Sequence, residues 1–171
     1  KPLHVYINDE CNRGSIRYIQ EKFAKLCIRN CLSNLSTSFR SVKEDGPRLL
    51  IGSLIAEYEN LDTLMHIIIA QNIGWNVTYV GNGVPHDELI YMANEINARA
   101  MIIALNTERD IARKSHEIKT IKNLADQKDN IILIGKHAYN YTQLADDVKA
   151  IVSNDLSSFR LTMERLYGLI R

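Results

Sequence analysis

The sequence of 171 residues lacks an excess of either charge: 21 Lys and Arg stand against 20 Asp and Glu, for a formal net charge of +1. This balance excludes a chain-wide basic surface for nucleic acid. The longest apolar run, Met65 to Ala70 and its flanks, is broken by His66 and Gln71 and falls far short of the ~20 residues that span a bilayer. We therefore predict that this chain is not a membrane protein. With only 8 Gly and 3 Pro but 46% hydrophobic residues, the composition is that of a soluble globular protein.

Cysteine is also scarce and odd in number. Besides Cys11, the sequence has Cys27 and Cys31, four residues apart and without a second ligand pair. This pattern fits neither a disulfide scaffold nor a zinc site, so a reducing cytoplasm is the expected location. The chain opens with Lys1-Pro2 and shows neither a Met nor a charged-then-apolar leader. We therefore expect it to be processed or to be a piece of a longer protein.

The motifs that mark common active sites are missing as well. No G-x-x-x-x-G-K-[ST] phosphate loop is present, and Gly81-Asn82-Gly83 lacks the third glycine of a dinucleotide fingerprint. The sequence has no serine nucleophile elbow, no H-E-x-x-H and no C-x-x-C. We therefore expect that this protein is not an enzyme.

The N-terminal region has the pattern of helices. Apolar residues recur at steps of three and four from Ser15 to Leu35, which predicts an amphipathic helix. Its predicted buried stripe consists of Ile16, Ile19, Phe23, Leu26, Cys27, Cys31 and Leu35. The stretch from Leu3 to Cys11 is predicted to end another helix, and Gly46-Pro47 indicates a linker. A boundary near Asp45 then gives a helical cap over residues 1–45, part of a helix bundle.

Residues 46–171 alternate between short apolar runs and longer amphipathic stretches. The predicted strands are 49–54, 76–80, 101–105, 131–134 and 150–152, and the predicted helices are 60–73, 85–98, 108–127, 140–147 and 156–170. Continuous apolar strands between helices indicate a parallel sheet covered on both faces. The predicted fold class is α/β: a doubly wound, Rossmann-like (flavodoxin-like) parallel five-stranded sheet, preceded by the partial helical cap. Trp75 is expected in its core.

Ligands of such sheets bind outside the carboxyl ends of the strands, which directs the search to the loops there. Histidine is a candidate because imidazole is the commonest metal ligand. His86 and His137 fall in these loops, where an ordinary solvent-exposed polar side chain is the alternative interpretation. His66 falls within a helix, where a partly buried or solvated histidine is the alternative. Glu57 and Glu59 follow the first strand as a carboxylate pair or metal site, although the helix dipole also favours acidic residues there.

A family pattern covers nearly the whole chain from about Cys11 onward. Its most specific parts are Gly-Trp-x-Val-x-Tyr-x-Gly from Gly74 to Gly81, the downstream Val84-Pro85, and Gln-Glu-x-Phe-Ala starting at Gln20. Further matching segments are Leu49-Leu50-Ile51-Gly52, Glu57-Tyr58-Glu59-Asn60-Leu61, Ile103-Ala104-Leu105-Asn106 and Ile134-Gly135-Lys136-His137-Ala138. The chain resembles the helical cap plus cobalamin-binding domain of MerR-type, light-sensing transcriptional repressors of the CarH and LitR kind.

The resemblance implies that a corrin ring lies between the cap and the sheet domain. In that family the cap covers the upper face of the ring, and the sheet domain holds its lower face and nucleotide tail. The family's cap residues, a Trp and a Glu-His pair, correspond here to Cys11, Glu21 and Lys22. The lower axial histidine corresponds to Glu59, with Glu57 before it.

The resemblance also assigns cofactor-binding positions to the loops of the sheet domain. These positions are Gly81, Val84, Pro85, Asn106, Gly135, Lys136 and His137. Asn106 stands where the family has a serine, and Gly135-Lys136 replaces a Gly-Gly pair. For the metal, Glu59 is the candidate axial ligand, and His66, His86 and His137 are the alternatives.

The function implied by the resemblance is that of a sensor domain in a MerR-type transcriptional regulator. Light breaks a cobalt–carbon bond in that family and changes oligomerisation, so the expected partners are further copies of the chain, possible partner proteins, and DNA through an N-terminal segment absent here. Two alternatives stay open: a degenerate, cofactor-free domain for oligomerisation or partner binding, and a haem-binding variant with His86 or His137 as ligand. A corrinoid subunit for methyl transfer is disfavoured, because Glu57-Tyr58-Glu59-Asn60-Leu61-Asp62 replaces its D-x-H-x-x-G motif.

Overall fold

The computed structural model describes residues 3–40, 46–56, 61–106, 111–124 and 130–170. Two helices come first, and then strands and helices alternate as predicted. The elements are α1 (Leu3–Asn12), α2 (Tyr18–Arg40), β1 (Arg48–Ser53), α3 (Leu61–Ile73), β2 (Asn76–Asn82), α4 (His86–Glu95), β3 (Ala100–Ala104), α5 (Ile111–Leu124), β4 (Ile131–Ile134), α6 (Thr142–Val148), β5 (Ile151–Ser153) and α7 (Leu156–Ile170). In this part of the chain, no helix combines the length and apolarity needed to cross a membrane.

The five strands form one parallel sheet in the order β2-β1-β3-β4-β5. This is the flavodoxin-like order, and it confirms the predicted fold class. Right-handed crossovers place α3 and α7 on one face of the sheet and α4, α5 and α6 on the other. The chain changes direction across the sheet at β1, so the carboxyl ends of β1 and β3 flank the topological switch point.

The strands bury side chains on both faces. Leu50, Met101 and Ile103 belong to the core under α4 and α5, whereas Leu49 and Ile51 belong to the core under α3 and α7. All five side chains are fully buried. Because successive residues of a strand point to opposite faces, a sheet covered on both sides needs continuous apolar strands. This explains why the strands stood out as unbroken apolar runs.

Trp75 confirms the prediction that it is a core residue. It is 2% exposed, between the end of α3 and the start of β2. Its indole Nε1 donates a hydrogen bond to the carbonyl oxygen of Met163 in α7, 3.2 Å away, and its ring meets Tyr167 edge-on. The indole therefore ties the last helix to the sheet, a long-range contact that no local pattern indicated.

Two helices differ from the prediction at their ends. α4 stops at Glu95, before the predicted end at residue 98, because Asn97 takes a positive φ of 47° and Ala98 N donates to Ala93 O. A left-handed residue of this kind is a common helix C-terminus. A 3₁₀ turn over Ala138–Tyr141 precedes α6. α7 has its predicted bounds.

The predicted orientation of α2 is wrong. Ile19 is 70% exposed, Phe23 67% and Leu26 49%, although all three were expected in the buried stripe. The face turned toward the body of the protein instead carries Ile28 and Leu32, which pack against the core under α3 and α7. A helical period identifies a helix, but α2 has apolar residues on two faces, and only the neighbouring α3 decides which face is buried.

The first turns of α2 project beyond the carboxyl edge of the sheet. Ser36 Oγ donates to Gln71 Oε1 near the end of α3, 2.8 Å away. Both helices lead toward the amino ends of strands, so they run in the same direction. Counting back from this contact puts Leu26 beside the start of α3, and the preceding two turns reach ~12 Å further at 1.5 Å per residue. The hairpin of α1 and α2 therefore extends past the carboxyl edge of the sheet on the side of α3.

Candidate functional site

The switch point between β1 and β3 is closed by hydrogen bonds of Ser53, the last residue of β1. Its Oγ donates to Ala104 O at the end of β3, 2.9 Å away, and its carbonyl accepts from Val84 N at 3.0 Å. Ser53 is 2% exposed. One buried residue thus joins the ends of β1 and β3 to the loop that leads from β2 into α4.

A cavity of about 280 Å³ opens beside this junction, on the face covered by α4 and α5. Its walls come from the end of β1, the loop before α4, and the first half of α5. The lining residues are Leu54, Gly83, Val84, Pro85, His86, Asp87, Lys114 and Glu117. Three predicted positions, Val84, Pro85 and His86, therefore meet in one concave site. Parallel sheets bind their ligands at such positions.

An ion pair in the cavity wall was not predicted from the sequence. Lys114 is 8% exposed and Glu117 is 9% exposed, and Lys114 Nζ lies 2.9 Å from Glu117 Oε2. The ammonium also donates to the carbonyl oxygen of Leu54, 2.8 Å away. One signal was available: Lys114 shares a helix face with Ile118 and Ile121, which are fully buried, so this face of α5 points inward.

The loop before α4 depends on two glycines. Gly81 and Gly83 have φ values of +88° and +72°, in the region that favours glycine. A Cβ on Gly83 would approach the Cβ of Ala56 to 2.9 Å, whereas a Cβ on Gly81 would meet open space. Gly83 thus lets this loop lie directly against the segment that follows β1. Gly81, the predicted cofactor-binding position, leaves room at the edge.

The ends of β3 and β4 bring together Asn106, Gly135 and His137. Leu105 N donates to Ile134 O at 2.8 Å, and Leu105 O accepts from His137 N at 3.1 Å. Gly135 has a φ of +109°, and a Cβ there would lie 2.5 Å from Asn106 Oδ1. Asn106 Oδ1 is buried without a hydrogen-bond partner. Lys136, between the clustered residues, is exposed.

His66 lies apart from this edge, in the packing between α3 and α7. Its ring is 5% exposed and meets Phe159 edge-on, with 4.6 Å between the centroids. Nδ1 donates to the carbonyl oxygen of Asp62 at 2.6 Å, while Nε2 is buried without a partner. Burial lowers the pKa of His66, so the neutral ring is favoured. The structure places it in a core, not in the cavity.

The predicted cap residues lie on the projecting hairpin. Glu21 accepts a hydrogen bond from Lys25 Nζ at 2.6 Å, which lowers the pKa of the glutamate. A hydrogen bond to Glu21 raises the pKa of the Cys11 thiol. Lys22 is exposed, with Nζ 5.1 Å from the ring centroid of Tyr18. Cys11 and Glu21 are thus brought together, whereas Lys22 lies on the outer side.

Glu57 and Glu59, the predicted axial region, lie outside the described residues. Within the described ranges, no three His, Cys, Asp or Glu side chains form a group that could hold a metal ion. His86 lines the cavity at the start of α4, and His137 lies at the end of β4. The described histidines therefore do not converge on one point.

The hairpin is joined to the sheet domain near the same edge. His4 Nε2 in α1 lies 3.0 Å from Asp62 Oδ1 in the first turn of α3. The His4 side chain is 12% exposed. Together with the packing of α2 along α3, this contact fixes the hairpin beside the start of α3.

No protein-family model matches the chain, and no curated protein matches it. Several solved structures do match the chain. A monomethylamine corrinoid protein from Methanosarcina barkeri superposes with a TM-score of 0.71 at 9% identity, over 95% of this chain and 78% of that chain. A cobalamin-binding protein from Desulfitobacterium hafniense DCB-2 gives 0.60 at 10% identity, over 95% and 77%. At these identities the comparison shows the fold: this chain has the fold of cobalamin-binding proteins, with its helical hairpin included in the match.

Proposed function

We propose that this chain is a corrinoid-binding sensor domain of a MerR-type transcriptional regulator. The observation that carries the proposal is the α1–α2 hairpin, which is held beside the start of α3 and extends past the carboxyl edge of the sheet, in a fold shared with corrinoid- and cobalamin-binding proteins. The domain acts without catalysis, in the cytoplasm. It controls assembly of further copies and, through a segment N-terminal to it, DNA binding.

Two features of the described residues fit a corrinoid. The cavity offers buried polar groups at the carboxyl edge, and Asn106 Oδ1 is a buried acceptor without a partner, which a donor from the ligand would satisfy. Asn106, Gly135 and His137 would hold the tail side, and Val84 and Pro85 the lower face. A bound alkylcorrinoid supplies a cobalt–carbon bond that light can break.

The cap would transmit the state of the ligand. Cys11 and Glu21 lie on the part of the hairpin that extends past the edge, so they are the cap residues that would contact a ring held there. A ligand shifts the position of the hairpin only if it binds two arrangements with different affinity. The His4–Asp62 contact and the packing of Ile28 hold the present arrangement. The upper ligand of the corrinoid would change which arrangement is favoured.

Absorption spectroscopy tests the proposal. The chain is incubated in the dark with adenosylcobalamin, methylcobalamin, hydroxocobalamin or haemin, desalted, and then illuminated. We expect corrinoid absorbance to be retained at one equivalent and to change with light. Asn106→Ala should weaken the affinity for the corrinoid about tenfold, which corresponds to the loss of one hydrogen bond. Asn94→Ala, an exposed change, should leave the affinity unchanged. If only haemin is retained, the proposed cofactor is haem and not a corrinoid. If neither is retained, both cofactor functions are refuted.

A cofactor-free assembly domain is the second candidate, and the exposed face of α2 favours it. Ile19, Phe23 and Leu26 lie on one face of α2 and are 70%, 67% and 49% exposed, and a contiguous exposed apolar patch often marks a protein–protein contact. A second copy would cover this face, since two helical hairpins close into a four-helix bundle.

Light scattering after gel filtration tests this second candidate. A dimer at micromolar concentration without any cofactor is expected, and Phe23→Glu should dissociate it. Tyr91→Glu changes an equally exposed aromatic residue on α4 and should leave the dimer intact. A wild-type monomer at 100 times that concentration would refute it.

A further inference from the structure

The ion pair in the cavity wall restricts the chemistry of the group that the cavity can take. Lys114 Nζ and Glu117 Oε2 lie 2.9 Å apart and are both largely withdrawn from solvent. An anion drawn to the ammonium would meet the carboxylate of Glu117 next to it and that of Asp87, which also lines the cavity, and a cation would meet the ammonium. A charged ligand is therefore disfavoured, because in a poorly solvated site the like charge acts at close range.

A neutral group with an acceptor and a donor side by side matches the pair. An ammonium has three donors, and its contacts to Leu54 and Glu117 engage two of them. A carboxylate has two oxygens and about four acceptor positions, so Glu117 can accept a further N–H beside Lys114. A primary carboxamide presents C=O and N–H₂ in one plane and satisfies both charged groups at once. Hydrogen bonds to charged partners are the stronger kind.

We infer that the Lys114–Glu117 pair recognises a primary carboxamide group of the ligand. This inference rests on the proposed function and makes it more specific: the rim of a cobalamin corrin carries acetamide and propionamide arms, whereas haem carries carboxylates at its rim. The remaining walls support the assignment, because Leu54 and Val84 offer apolar contact to the methylenes of such an arm. The pair thus selects an amidated ring over a carboxylated one.

The test compares cobalamin with a derivative in which one rim amide is hydrolysed to a carboxylate, by absorbance titration. Each isomer with one hydrolysed amide is titrated separately. The isomer whose affinity falls most identifies the amide arm that the ion pair contacts. We expect wild type to prefer the amide to that isomer at least tenfold. In Glu117→Gln the preference should fall at least tenfold, because the carboxylate no longer meets a negative charge. Glu88→Gln, an exposed change in the first turn of α4, is the matched control. An unchanged preference in Glu117→Gln would overturn the inference.

A second measurement separates this inference from the proposed function. Propionamide and propionate are titrated into the labelled protein, and amide NMR shifts of Gly83, Val84 and Lys114 are followed. Shifts with propionamide, at least threefold larger than with propionate, are expected in wild type and should be lost in Glu117→Gln. If these shifts occur while cobalamin is not retained, the carboxamide site stands and the corrinoid function fails. If cobalamin is retained but both probes act alike, the corrinoid function stands and this inference is refuted.

Discussion

Breaking the buried ion pair should destabilise the protein far more than breaking an exposed one on the same helix. Lys114→Met removes the ammonium and leaves Glu117 with its carboxylate 9% exposed and without this counter-charge. It also removes the donor to Leu54 O. Removing one partner of a buried pair costs about 3–5 kcal/mol of the free energy of unfolding. Since small domains have only ~5–15 kcal/mol in total, the effect should be large.

Lys119→Met is the matched control, because Lys119 also lies on α5 but pairs with Asp147 at 3.2 Å while both side chains are about half exposed. Such a pair contributes about 0–1 kcal/mol. The double variant Lys114→Met/Glu117→Leu removes both buried charges and should recover most of the loss.

Urea unfolding at pH 7, followed by circular dichroism, measures all three variants. The midpoint should fall strongly for Lys114→Met at an unchanged m-value. The reasoning is refuted if Lys114→Met costs no more than Lys119→Met, or if the double variant is as unstable as the single one.

Three further predictions concern positions away from this pair. Burial lowers the pKa of His66, so on acidification the unfolded state takes up the proton first, and stability should fall as pH drops below about 6.5. Urea midpoints at pH 7 and pH 5.5 should therefore move closer together in His66→Leu, and an unchanged difference would contradict this assignment. Trp75→Phe should cost about 1–3 kcal/mol through the lost indole hydrogen bond to α7, and a neutral result in urea would show that the bond is unimportant. Gly135→Ala should lower the free energy of unfolding by more than about 1 kcal/mol, because Gly135 has a positive φ and close neighbours. Gly168→Ala, in α7 with open space around it, should raise the free energy of unfolding by about 0.5–1 kcal/mol. Equal thermal midpoints for the two alanine variants would argue against the strained backbone at Gly135.

Local patterns in the sequence were sufficient for the sheet domain. Each strand buries side chains on two faces, so its apolar run is unbroken, and each helix has its own period; these signals depend only on neighbouring residues. Because the predicted strands are parallel, the loops after them were expected at one edge of the sheet. Asn106, Gly135 and His137 do lie together there. The predicted axial residues Glu57 and Glu59 remain a prediction, since they lie outside the described residues.

The sequence by itself thus determined the order and type of the elements, and it predicts the edge at which a ligand would bind. The tertiary structure decided which face of α2 is buried, and it brought Lys114 beside Leu54, a residue 60 positions earlier. It also placed His66 against Phe159 in a core, away from the edge. The physical reason is how far apart in the sequence the interacting residues lie. Periodicity and strand burial follow from a residue and its neighbours, whereas the burial of a charge or the choice between two apolar faces depends on which distant segment packs against it.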